Sequence, residues 1–244
     1  VLLVSTFVSG FLIHCASERG VNSRTTPDER VYAFSSYFRP IYCYAVDDTS
    51  HRVIDSITGL VGPSGLYQMR ISPDGRWLYL GRGPGTDIAK VDVASKKVVD
   101  SVLDMGMFTL SGTGDTLIAS RMSRTYLFRT SDFSLIRELP IYIYPPERCA
   151  SKPWVVGGAW LDSQITVYDF EQDSVIAQGI CRDKTGDAQS TRHVSIDPNG
   201  KRLWAITNQK AVVIDIQTWT TVADYWLYTA LGQVSFGKGG AVAY

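Results

Sequence analysis

Apolar and polar positions alternate along this chain in short runs rather than in helical stripes. β-branched and aromatic stretches such as RWLYL, TLIAS, AVVIDI and QITVYDF are each bounded by turn-forming residues, the pattern of strands of four to eight residues. No long stretch shows the 3.6-residue period of an amphipathic helix. The runs recur in a fixed order: a turn, a strand, a short polar gap, a strand closing on Asp, a polar turn and a further strand. The clearest copy runs from Ile71 to Val102, a second from Ser195 to Ala223 and a third from Thr25 to Ile57.

Aligning the first turn of each copy on Glu29, Gly75, Gly114, Lys152, Gly200 and Gly239 gives spacings of 46, 39, 38, 48 and 39 residues. A period near 40 that carries four strands is one sheet of a repeat architecture, which must stack on its neighbours to bury its apolar faces. In SPDG and DPNG the proline presets one φ and the glycine accepts a positive one. The aspartates Asp92, Asp169 and Asp215 close equivalent third strands. Their repetition predicts a structural task, accepting backbone N–H groups of the turn that follows.

The repeat also carries a family resemblance. LWAITNQKAVVIDIQTWTTVA resembles the YVTN-type β-propeller repeat, in which a strand like YVTN precedes an apolar strand ending V-I-D and then T-x-x-V. LYLGRGPGTDIAKVDVASKKVVDSV is similar, with Gly81 and Arg82 in place of the Thr-Asn pair. The resemblance covers about residues 25 to 244 and implies an all-β propeller of four-stranded blades. About six blades are represented, and with seven the common number among related propellers, an incomplete seven-bladed ring is expected. It is specific for architecture and weak for activity, because such propellers serve many roles.

Composition narrows the function only a little. The 24 basic and 24 acidic residues balance, which argues against a nucleic-acid binder driven by bulk charge. The N-terminal stretch VLLVSTFVSGFLIHCAS has two readings. As the apolar part of a secretory signal, with Cys15 a candidate lipid acceptor, it makes the protein exported: periplasmic, cell-surface or secreted. As LLVSTFVSGFLIHCASER, aligned without gaps to Leu117–Ser134, it is part of another blade. It is short for a membrane span. Residues 1–24 are therefore set apart from a propeller domain over residues 25–244. Cys43 reads as a buried strand residue, and Cys149 and Cys181 fall in expected loops, where a disulfide between them is open in an oxidising compartment.

Motifs for catalysis are lacking: no H-E-x-x-H, no C-x-x-C, no G-x-S-x-G and no Walker A sequence occurs. No cofactor is expected. His193 reads as a strand-edge or pocket-rim residue. In a four-stranded blade, the loops joining strands two and three share one end with the connections between blades. Arg39, Arg82, Arg121, Arg124 and Lys210 are expected at that end. So are two long connections, Pro140–Lys152 with Tyr142, Tyr144 and Arg148, and Cys181–His193 with Arg182, Lys184 and Arg192. Guanidinium groups converging there would suit a carboxylate or phosphate; ordinary surface, neutralised by Asp162, Asp183 and Asp187, is the competing reading. The expectation is a non-catalytic binding or scaffold module for a protein, peptide or glycan, within a longer surface protein in one version. The alternative is a propeller enzyme, a lactonase-like hydrolase or redox-partner protein, with its site in a central channel near Ser72, Ser111, Ser195 and Ser235.

Overall fold

The protein is described from a computed structural model, which covers residues 13–16, 30–35, 41–47, 53–60, 68–81, 87–121, 123–158, 162–227 and 234. These residues form five antiparallel sheets of four strands, each sheet following the chain in order. Sheet 1 is β1 (Ile13–Ala16), β2 (Arg30–Ser35), β3 (Ile41–Asp47) and β4 (Val53–Leu60). Sheet 2 is β5 (Gln68–Ile71), β6 (Trp77–Gly81), β7 (Asp87–Asp92) and β8 (Lys97–Leu103). Sheet 3 is β9 (Phe108–Leu110), β10 (Thr116–Arg121), β11 (Arg124–Arg129) and β12 (Leu135–Leu139). Sheet 4 is β13 (Tyr144–Arg148), β14 (Trp154–Gly158), β15 (Gln164–Asp169) and β16 (Ser174–Ile180). Sheet 5 is β17 (Thr191–Ile196), β18 (Arg202–Thr207), β19 (Lys210–Asp215) and β20 (Thr220–Trp226). No helix lies among the described residues.

Side chains alternate across a strand, and the sheets use both faces. Leu78 and Leu80 of β6 pack with Ile57 of sheet 1, whereas Tyr79 between them packs with Phe108, Leu117 and Phe128 of sheet 3. In β10, Leu117 and Ala119 face sheet 2, and Ile118 joins Val155 and Tyr168 of sheet 4. In β14, Val155 faces sheet 3 and Val156 meets Val194, Leu203 and Val212 of sheet 5. The sheets therefore stack face to face in chain order, with their first strands side by side along the inner edge. On that edge Arg70 Nη2 of β5 reaches past sheet 3 to Glu147 Oε2 of β13, 2.7 Å away, with both side chains mostly buried.

The turns behave as their residues predict. Gly75, Gly114 and Gly200 have φ of 72°, 77° and 66°, and each donates its N–H to the carbonyl three residues back, at Ser72, Ser111 and Asp197. Ser72 Oγ is held in its turn, accepting the Trp77 N–H at 2.9 Å, and Ser111 Oγ donates to Asp115 at 2.8 Å. In the turn between third and fourth strands, Asp92 accepts the Ser95 N–H, Asp169 those of Glu171 and Gln172, and Asp215 those of Gln217 and Thr218. These bonds, led by the Ser95 and Thr218 amides, hold Asp92 and Asp215 below the ordinary carboxylate value. The fifth residue of each such turn, Lys96, Phe133, Asp173 or Trp219, takes a positive φ between 52° and 59°. A register shift follows in every third-to-fourth strand pairing of sheets 2 to 5, as a bulge after a left-handed residue requires.

Three expectations need correction or relocation. The stretch Pro140–Lys152 is not one long loop, because Tyr144–Arg148 is the first strand of sheet 4. Pro145 and Pro146 lack N–H donors and hide the strand signal. They are tolerated because β13 has a partner on one side only and shifts register between Tyr144 and Glu147. Likewise β17 begins at Thr191, so the connection ends earlier than Cys181–His193 and Arg192 lies in the strand, as does His193, a residue expected at a strand edge. At the N-terminus, Ile13–Ala16 pairs with β2, which puts Cys15 opposite Ala33 in sheet 1; residues 1–12 lie outside the described residues.

Neighbouring first turns touch: a Cβ added at Gly114 would lie 2.4 Å from Pro73 Cδ of sheet 2, whereas one at Gly75 meets nothing within 4 Å. Both positions have left-handed backbone, so Gly75→Ala should cost about 1 kcal/mol. Gly114→Ala should cost about 2–4 kcal/mol, because the strain is joined by a collision between sheets. Urea unfolding of the two variants measures the difference, and equal losses would mean that the Gly114–Pro73 contact relaxes freely.

Candidate functional site

The end of the stack that carries the strand-two-to-three hairpins and the inter-sheet connections holds Arg121, Arg124, Arg182, Lys184, Arg192 and Lys210. Arg121 and Arg124 close the β10–β11 hairpin directly opposite each other. Each is met by an acid from a neighbouring element: Arg121 by Asp104 at 3.0 Å and Arg124 by Glu138. Beside this sheet, Tyr142 and Tyr144 stack with ring centroids 5.8 Å apart. Burial, and then the neighbouring Tyr144, push the Tyr142 phenol up to about 12.

On sheet 5, Arg192 Nε donates to Asn208 Oδ1 in the β18–β19 hairpin. His193 is buried, with Nδ1 3.5 Å from Ser195 Oγ, and Ser195 donates to the Val234 carbonyl at 3.0 Å. Arg148 sits elsewhere. It ends β13, at the opposite end of the sheet from the inter-sheet connections, with its guanidinium beside Gly112 of the first turn of sheet 3. Arg39 and Arg82 lie outside the described residues.

The connection after β16 is the most structured element at this end. Cys181 N donates to Ser163 O, Arg182 and Ala188 form a bridge, and Arg182 Nη1 donates to Gly186 O at 2.8 Å. Asp183 is the hub of this loop. Its carboxylate accepts from the Thr185 hydroxyl and amide, the Asp187 amide and Gln189 Nε2. Lys210 Nζ approaches it at 2.7 Å and also lies 3.3 Å from Asp224, with Trp226 facing the ammonium at 4.8 Å. The Lys210 ammonium, and then the Thr185 hydroxyl, hold Asp183 well below the ordinary carboxylate range. In turn Asp183 raises Lys210. Lys210 is thus consumed inside the fold, while Arg182 and Lys184 remain exposed.

Between this loop and the start of β20 opens a cleft of about 490 Å3, lined by Ile180, Arg182, Asp183, Lys184, Trp219 and Thr221 among others. Trp219 is the residue that the polar-turn pattern conceals. It fills the left-handed turn position held by Lys96, Phe133 and Asp173 in other sheets, and an indole in QTWT where ASKK and EQDS are polar is the signal. Its Nε1 donates to Ile180 O at 3.2 Å. A Cβ at Gly179 would lie 2.0 Å from that nitrogen, so the indole needs the glycine beneath it.

Cys149 and Cys181 are free thiols in the apolar layer between sheets 4 and 5, which decides against the disulfide between them. Burial, and then the charge of Asp183, push the Cys181 thiol up to about 12. Among the described residues no three His, Cys, Asp or Glu side chains gather as a metal-binding set, and no helix is long and apolar enough to cross a membrane. No protein-family model matches the sequence, and no curated protein matches it.

Two predictions concern this region. A depressed carboxylate stabilises above its unfolded value near 4 and loses that contribution as pH falls through its folded value. A raised ammonium stabilises below its unfolded value near 10.4 and loses it as pH rises through its folded value. The Asp183–Lys210 pair should therefore keep the loop closed between about pH 4 and pH 10. At pH 8 Asp183→Asn should speed tryptic cleavage after Arg182 and Lys184 by roughly tenfold, because cleavage reports local opening; an unchanged rate would mean that the loop is ordered without the carboxylate. Separately, peptide mapping after iodoacetamide should find Cys149 and Cys181 unmodified in the native protein and fully modified in urea, since burial keeps the reagent from both sulfurs.

Proposed function

We propose that the chain is a β-propeller of the YVTN-repeat type, with about six blades of a seven-bladed ring represented. In this reading it serves an exported protein as a non-catalytic binding or scaffold module, presenting its connection-bearing end to a protein, peptide or glycan. The face-to-face stacking in chain order, with first strands innermost, supports the architecture. The far face of sheet 5 supports continuation of the ring: Ile206 and Ala211 gather there with Trp204, Leu227 and Val234, and the Val234 carbonyl is already bonded to β17 through Ser195.

The observation that carries the binding role is the cleft beside Trp219, with the exposed cations Arg182 and Lys184 at its mouth. The apolar layers between sheets 2 and 3, 3 and 4, and 4 and 5 are filled by the sheets themselves, so recognition falls to connections and outer strands. An indole wall, threonine hydroxyls and two exposed cations suit a ligand with a flat apolar surface and an acidic group.

The test is to screen the full chain, immobilised, against peptide and glycan arrays, and to measure the strongest binder by calorimetry. Arg182→Ala combined with Lys184→Ala should weaken that binder by about tenfold or more, as loss of two charge-assisted contacts predicts. Arg148→Ala, at the opposite end, should leave it unchanged. The reverse pattern would move the binding surface away from the connections.

A further inference from the structure

Two side chains of the cleft beside Trp219 are fixed in place before any ligand arrives. The indole lies over Gly179, and its Nε1 donates to the Ile180 carbonyl at 3.2 Å. Arg182 is held from three directions: its carbonyl accepts the Thr221 hydroxyl, it bridges Ala188, and its Nη1 donates to Gly186 O at 2.8 Å. Groups ordered in this way lose little freedom when a ligand meets them. All the partners of Arg182 are neutral, and its Nε and Nη2 make no hydrogen bond among the described residues. The nearby Asp183 is taken by Lys210, Thr185 and Gln189, and Asp187 accepts the Thr185 hydroxyl at 2.9 Å.

The wall that carries these cations has little main chain to offer a ligand. The amides of Cys181, Asp183, Lys184, Thr185, Gly186 and Asp187 are all bonded within the fold. So are the carbonyls of Ile180, Cys181, Arg182 and Asp183. A peptide that pairs through its backbone needs such groups free, and a phosphate group draws on clustered amides. What remains is an aromatic surface, the exposed Thr220, and the side chains of Arg182 and Lys184. At about 490 Å3 the cleft falls within the range of small-molecule sites, roughly 300–1,000 Å3. A pyranose has one face of C–H groups, which packs flat on the negative face of an indole, and an edge of hydroxyls.

We propose that this cleft binds a uronate-bearing oligosaccharide. One pyranose ring lies against Trp219 with its carboxylate on the remaining edge of the Arg182 guanidinium, and the carboxylate of the next ring meets Lys184. The inference rests on the cleft being the recognition surface proposed above and narrows its ligand to one class. A guanidinium presents parallel N–H donors that match a carboxylate and that a neutral hexose does not use. A neutral sugar would leave both cations without a partner, and a compact anion would leave the indole uncovered. A sugar acid uses both, and it needs none of the main-chain groups that the loop has already spent on itself.

Calorimetry of the full chain tests this with tetrasaccharides of galacturonate, mannuronate and glucuronate, each beside its methyl ester, which keeps the rings and removes the charge. At least one acid should bind with a Kd below about 1 mM and at least about tenfold more tightly than its ester. Arg182→Gln should bring that ratio close to one. Trp219→Phe should weaken acid and ester alike and keep the ratio. Arg182 is exposed, so its variant keeps the test decisive if the tryptophan variant misfolds, which circular dichroism reports. Absence of binding by all three acids, equal binding of acid and ester, a ratio indifferent to Arg182→Gln, or tighter binding of adenosine monophosphate would each overturn the proposal. A peptide that binds through Arg182 and Lys184 where no uronate does would overturn it too, while leaving the recognition surface itself in place.

Discussion

Sheets 2 to 5 are each apolar on both faces, and that constraint governs the rest. A strand such as WLYLG sends Leu78 and Leu80 one way and Tyr79 the other, and all three are buried. Such a sheet alone would leave both layers in water, so none of them is an independent folding unit; sheets 2 to 4 each depend on the sheet before and the sheet after. The turns obey the same dependence, since Gly114 packs on Pro73 of the preceding sheet and Gly200 on Lys152. Lys90 shows it in polar form. Its ammonium leaves sheet 2 to meet the Thr130 carbonyl of sheet 3 at 2.6 Å, with the Trp77 ring 4.4 Å away. Burial lowers its pKa, so those carbonyls and the ring take the place of the water it has lost.

Against this nearest-neighbour logic, the Arg70–Glu147 pair ties sheets that share no apolar layer. A mostly buried ion pair gains little net stability over an apolar substitute, because both charges lose hydration. Its geometric effect is clearer. It fixes the distance between β5 and β13 across the inner edge, which the intervening β9 alone would leave to the sum of two packing layers. Gln68 adds to the same edge by accepting the Phe108 N–H at 2.8 Å.

What could be read from the sequence follows the same division. Strand order, turn glycines and the aspartates closing third strands were legible because each is repeated and each has a local cause. Asp92, Asp169 and Asp215 bond amides two or three residues away, so their role depends on nothing distant. The strand Tyr144–Arg148 was not legible, because two prolines remove the alternation and the reason for their tolerance is a missing neighbour on one side. The cations expected at the connection-bearing end were legible as composition but not as chemistry. Nine residues of one charge expected at one end suggest an anion site only while their partners are unknown. Asp104, Glu138 and Asp183 come from other strands or connections and neutralise Arg121, Arg124 and Lys210. Arg148 moves to the far end because its loop is a strand.

Repetition constrains a sequence only where equivalent residues meet equivalent surroundings. Inner strands and turns do, and they stay alike from sheet to sheet. Outer strands and inter-sheet connections face solvent or each other in different ways, and there the repeats diverge: Trp219 stands where others have a polar residue or Phe133, the Asp183 loop follows sheet 4, and β16 lacks the charges of β8, β12 and β20. Divergence of that kind cannot be explained by the stacking that explains everything else. Trp219 has a local explanation in Gly179, and Asp183 has one in Lys210. In β16 the bulge that shifts the pairing with β15 between Val167 and Tyr168 interrupts the outer edge without a charge.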